Sequence, residues 1–124
     1  MSYPDYTRAE RVADAVVHVI GVTSAIIGVC VIFWMFSDRM AWPTFLGTAV
    51  YALALVGMLT ASAAYHMGAH TSARPILRRI DHAAIYVKIA ATFTPLAILL
   101  NSKFGYMVLA LVWGLALTGA VNKL

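Results

Sequence analysis

The side chains able to do chemistry in this sequence are few, and they recur at helical spacing. Glu10, Asp14 and His18 repeat at i, i+4 and i+8, which places them on one face of a helix. Gly21 extends that stripe and leaves room for another backbone to come close. Ser62 and His66 stand one turn apart in Ser62-Ala63-Ala64-Tyr65-His66. The imidazole of His66 can bind a metal, and the Ser62 hydroxyl can orient a bound water or the ring itself. Asp81-His82 come next, and Lys88 lies nearly two turns further on. A carboxylate at Asp81 can accept a hydrogen bond from a metal-bound water, or it can simply cap a helix start. The other groups have plain readings too. Glu10 and Asp14 suit a solvated helix end, His18 and Tyr65-His66 suit interfacial anchors, and Ser62 suits helix packing. His70 falls past the expected helix end and reads as loop. Lys88 reads as paired with an acid inside the bundle, the alternative being a head that snorkels to the interface.

Elements that position these groups follow from composition. Of 124 residues, 62% are hydrophobic and 11% charged, with mean hydropathy +0.83. A soluble domain is typically about 45–50% apolar and about 25% charged. The chain is therefore an all-α integral membrane protein rather than a soluble domain, and its length allows one compact unit. Four stretches can cross about 30 Å of hydrocarbon, at about 14–36, 42–66, 81–100 and 104–121. They leave an N-terminal segment 1–13 and a longer connection 67–80. The acidic residues before the first span, and the lack of an A-x-A-like site after it, argue against a cleaved signal peptide. No internal repeat or low-complexity segment is present. Cys30, the single cysteine, has no intrachain partner and reads as a small apolar residue.

Breakers fall where the spans should end. Ser37-Asp38-Arg39 with Pro43 makes a tight first connection, and Asn101-Ser102-Lys103 a short third one. Pro75-Ile76-Leu77-Arg78-Arg79-Ile80 reads either as a turn of helix in the headgroup layer or as a solvated basic loop. Thr7-Arg8-Ala9-Glu10 has the capping-box pattern of a helix start. Pro95, in Thr92-Phe93-Thr94-Pro95, should kink the third helix and free the carbonyl of Ala91.

The net charge of +4 and pI near 9.5 would suit nucleic acid, but the basic residues sit between apolar runs, so no nucleic-acid partner is expected. Arg8, Arg11, Arg74, Arg78, Arg79 and Lys123 fall on one side of the membrane, and only Arg39 and Lys103 on the other. Six against two predicts cytoplasmic termini. His18, Ser62, His66, Asp81 and His82 then share one layer at the cytoplasmic ends of their helices.

In this order, Glu10-x3-Asp14-x3-His18-x2-Gly21, Ser62-Ala63-Ala64-Tyr65-His66, Asp81-His82-Ala83-Ala84-Ile85-Tyr86, Ala91-Thr92-Phe93-Thr94-Pro95 and Trp113-Gly114-x4-Gly119-x3-Lys123 resemble the hemolysin III family, within the progestin and adipoQ receptor group. The resemblance covers most of the chain, with one motif or more per span. It implies a seven-helix bundle of which these four helices are the first, located in a bacterial inner membrane. It also implies a zinc-dependent hydrolase scaffold related to alkaline ceramidases, acting on lipid amide or ester bonds, with membrane lipids as surroundings and substrate. On that basis His66 corresponds to a zinc ligand, Ser62 and Asp81 lie beside the metal-bound water, and His18 and His82 are further candidate ligands. The family's other two ligands belong to an H-x3-H motif on the seventh helix, which this sequence lacks. Asp14 stands where the family more often has asparagine. The chain is thus expected to be truncated and incomplete as a hydrolase, needing the C-terminal helices or a second copy as partner. The alternative class is a pore-forming or structural membrane protein without catalysis.

Overall fold

The computed structural model describes residues 7–124, so the first six residues of the expected N-terminal segment lie outside the described residues. The described chain forms four long helices and no strand: α1 (Arg8–Phe36), α2 (Trp42–Met67), α3 (Arg74–Leu100) and α4 (Lys103–Lys123). All four are long and apolar enough to cross a membrane. With hydropathy this high on every face, a membrane is the environment in which the exposed Val, Ile, Leu and Phe side chains are at no cost.

Local chemistry explains where each helix begins and ends. Thr7 caps α1, its Oγ1 accepting from the Glu10 amide at 3.2 Å, and the helix runs without a break into the first span. A 3₁₀ turn over Ser37–Arg39 then reverses the chain, and Pro43 sits in the first turn of α2, where its missing N–H costs nothing. Asn101 ends α3 in the left-handed region (φ 47°, ψ 47°), a conformation asparagine adopts more readily than most residues. Ser102 follows as the cap of α4, Oγ accepting from the Gly105 amide at 3.0 Å.

The middle connection differs from the sequence expectation. The third helix starts at Arg74 rather than near Asp81, with Pro75 in its first turn. Pro75 to Ile80 is therefore continuous with the span, and the reversal is confined to a short turn around Thr71. The Thr71 hydroxyl donates to the Gly68 carbonyl at 2.7 Å and accepts from the Ala73 amide at 3.3 Å. Asp81 consequently lies two turns inside α3, and Ala73 occupies the N-cap position that Asp81 was a candidate for.

The extensive contacts run in chain order, α1 on α2, α2 on α3 and α3 on α4. The helices form a row rather than a closed bundle, and α1, at one edge, buries none of its residues. The core is built of small side chains: Ala52, Ala83, Ala90, Ala91, Ala97, Ala116 and Ala120 are buried, while no large side chain is fully buried. Lipid tails are as apolar as leucine, so helices gain by close approach and dispersion rather than by hiding bulk. Gly47 of α2 seats against Pro95 and Ile98 of α3, and Gly119 of α4 against the Tyr86 ring. Trp113 ties α4 to α3, its Nε1 donating to Thr94 Oγ1 at 2.9 Å. At the opposite end from the termini, Phe33, Trp42 and Phe45 form an aromatic cluster suited to a membrane interface.

Pro95 is accommodated inside α3 without ending it. The threonine hydroxyls do not turn to the Ala91 carbonyl: Thr94 donates to Ala90 O at 3.0 Å and Thr92 to Lys88 O at 2.8 Å. Among the described residues Lys88 is not paired with a carboxylate. Its Nζ donates to Thr92 Oγ1 at 3.0 Å and stands 4.4 Å from the centre of the Tyr51 ring on α2. The cation thus meets a hydroxyl dipole and the negative face of an aromatic ring within the span.

Candidate functional site

The alternation of four helices brings the start of α1, the end of α2, the start of α3 and the end of α4 to the same side of the molecule. There the α1 stripe meets α2. The His18 and His66 rings stack with centroids 4.6 Å apart and planes inclined by 28°. His18 Nδ1 donates to the Asp14 backbone carbonyl at 2.7 Å, which fixes the ring and leaves Nε2 as its other polar atom. Asp14 Oδ2 lies 3.9 Å from His66 Nδ1, beyond hydrogen-bond range and near enough for attraction when the ring is protonated. Both side chains are a little over one-third exposed, so that attraction is screened. An open cavity of about 220 Å³ lies beside them, lined by Arg11, Asp14, Ala15, His66, Met67, Ala69 and His70.

The structure unites only part of the sequence-derived set. His66 and His18 come together. Ser62 sits half-buried one turn up α2, and Asp81 half-buried on α3, and neither lines the cavity at His66. His82 belongs to a different cavity, formed with Arg78, Arg79, Asn122 and Lys123, and its Nδ1 donates to the Arg78 carbonyl at 2.6 Å. Of the lining residues not assigned to the site from sequence, Asp14 and His70 carry groups that can accept or hold a proton. Asp14 was readable as sharing the His18 face, but its approach to His66 depends on how α1 and α2 rotate against each other. His70 does lie in the turn beyond α2, and that turn folds it back over the cavity. Its i+4 spacing from His66 was the available signal.

Zinc does not fit this set of residues. Among the described residues no group of three or more His, Cys, Asp or Glu side chains is gathered closely enough to hold a metal. The stacked pair fails for a geometric reason as well. An imidazole nitrogen binds through a lone pair in the ring plane, at about 2.0–2.1 Å. Rings that face one another direct those lone pairs side by side rather than toward one ion.

Fold and site together define a multispan all-α membrane protein with a histidine–carboxylate cluster at one membrane face. The family model described as haemolysin-III related matches residues 6–124, and the chain belongs to that family. It is 34% identical over 121 residues to a hemolysin-3 homolog of Bacillus subtilis (strain 168), covering 96% of this chain and 56% of that protein. It is 29% identical over 116 residues to hemolysin-3 of Bacillus cereus, covering 93% of this chain and 53% of that protein. The chain thus spans about half the length of the curated relatives it matches. No solved structure matches it significantly.

Proposed function

We propose that this haemolysin III-like chain contributes one part of a polar site for hydrolysing lipid amide or ester bonds, and does not turn over substrate by itself. The observation that carries this reading is the meeting of His18, His66 and Asp14 beside an open cavity at one end of four membrane-spanning helices. Lipid carbonyls lie at the depth of such helix ends, and an imidazole–carboxylate pair is a group that can hold and move a proton there. His66 is the residue on which the site turns, with Ser62 one turn away and Asp81 on the neighbouring helix. The relatives are named for haemolysis, yet the polar cavities here sit at one end of the helices, which supports a one-sided site over a channel.

Elemental analysis after mild chelation tests the ligand deficit. The purified chain is expected to retain well below one zinc per molecule and to release no fatty acid from a fluorescent short-chain ceramide. About one tightly held zinc per chain, lost on His66→Ala, would overturn this reading, because three protein donors would then have to exist. Co-expression with the unmatched remainder of the Bacillus subtilis relative is expected to yield hydrolysis that His66→Ala abolishes. A stable complex with zinc bound and no hydrolysis would remove lipid cleavage from the proposal.

The termini and the turn around Thr71 are assigned to the cytoplasm, in a bacterial plasma membrane, on the six-to-two distribution of basic residues. Ser72 and Ser102 are both exposed, at opposite ends of α3. In a Cys30→Ala background, a membrane-impermeant maleimide applied to whole cells should label Ser102→Cys and spare Ser72→Cys. The reverse pattern would invert the topology.

A further inference from the structure

A second cavity at the polar end has a different character from the first. It lies between the start of α3 and the end of α4, has a volume of about 240 Å³, and is lined by Pro75, Arg78, Arg79, His82, Asn122 and Lys123. Among the described residues no carboxylate lines it, whereas the cavity at His66 sets Asp14 beside Arg11. Three permanent cations, an imidazole and an amide therefore converge on one small space. Such a concentration of positive charge is unfavourable unless an anion shares it.

The surroundings identify the anion's other half. On the membrane side of the basic groups, Ile80 is 42% exposed on α3, and Leu117 is 51% and Val121 69% exposed on α4. A ligand that satisfies both surfaces carries a phosphate at one end and acyl chains at the other. We propose that the α3–α4 cavity is a binding site for the headgroup phosphate of an anionic membrane phospholipid. The guanidinium groups of Arg78 and Arg79 take the phosphate oxygens through paired N–H donors, and Lys123 closes the site from α4. Basic pockets between membrane helices bind anionic headgroups on this principle. The acyl chains lie along the apolar surface below. The bound lipid bridges two helices whose buried contact is built of small residues, so it also holds α4 in place. The site is separate from the histidine cluster, and its occupancy does not depend on whether any hydrolysis occurs.

Native mass spectrometry of the purified chain, with short-chain phosphatidylglycerol and phosphatidylcholine of equal acyl length, tests this directly. Phosphatidylglycerol is expected to bind about tenfold more tightly or better, with one lipid per chain retained preferentially. Substituting Arg78, Arg79 and Lys123 together by glutamine should erase the preference. Arg39→Gln with Lys103→Gln, which removes charge at the opposite end of the helices, should leave it intact. Arg78→Lys with Arg79→Lys should weaken it without abolishing it, since charge remains and the planar fork is lost. Equal retention of the two lipids by the wild-type chain would overturn the proposal, whatever the variants do. So would a preference that survives the triple substitution. Glycerol phosphate competing as well as phosphatidylglycerol at equal concentration would overturn the lipid assignment and leave a site for soluble phosphate.

Discussion

Gly47→Leu is expected to be the most damaging single substitution among those the packing identifies, separating α2 from α3. A Cβ at this position would stand 2.8 Å from Ile98 Cδ1 and 3.1 Å from Pro95 Cα. The isoleucine tip can rotate away. The proline Cα is backbone inside a helix and cannot, so the helices must part. Overpacking typically costs about 1–3 kcal/mol, and a branched side chain driven into backbone belongs at or above the upper end. Gly57 supplies the control, since a Cβ there meets nothing within 4 Å. Gly57→Ala should be neutral or stabilising by up to about 1 kcal/mol, through helix propensity alone. Thermal unfolding in detergent, followed by Trp113 fluorescence on α4 and by far-ultraviolet circular dichroism, would show the contrast. An unchanged midpoint for Gly47→Leu would mean that α2 and α3 do not cross where the structure has them.

Lys88→Met is expected to act in the opposite sense and favour the inserted, folded state. A lysine at the centre of a membrane helix costs about 2.5–3.5 kcal/mol on insertion scales. Its contacts recover part of that: a hydroxyl hydrogen bond to Thr92 and the face of Tyr51 are worth about 1 kcal/mol each. Methionine fills similar space without the charge, so the variant should gain about 1 kcal/mol. The contacts predict a second, sharper result. Thr92→Val and Tyr51→Leu should each weaken the wild-type protein by about 1 kcal/mol, and both losses should shrink in the Lys88→Met background. Unfolding of Lys88→Met in detergent would instead require a carboxylate partner for the ammonium.

The fate of Lys88 shows where sequence reading lost its hold. An acid was the expected partner because unpaired charge in hydrocarbon is expensive, and that physics is sound. The structure meets the same need with an aromatic face from the adjacent helix, and nothing in the spacing along α3 could reveal Tyr51 on α2. Asp81 is a related case. An aspartate preceding an apolar run reads as a helix cap, but Pro75 in the first turn and the Thr71 turn start the helix at Arg74. The basic stretch between them reads in sequence equally as a turn of helix in the headgroup layer or as a solvated loop, and neither reading joins it to the span.

What the residues determine by themselves is the membrane class, the four spans and the ends at which polar groups gather. These depend on composition along the chain and on local capping by Thr7, Asn101 and Ser102, which involve neighbours a few residues away. The family is likewise legible, from motifs that keep their order. Which side chains meet across helices was decided only by the tertiary structure. In a soluble protein an apolar stripe reveals the face each helix buries. Here lipid accepts apolar groups on every side, so periodicity says little about how a helix is turned about its axis. That rotation is set by close fits between small and large residues, Gly47 on Pro95 and Gly119 on Tyr86, which depend on shape rather than polarity. Those fits arrange the row of helices in which His66 stacks on His18 and faces Asp14, while His82, on the next helix, turns to the arginines.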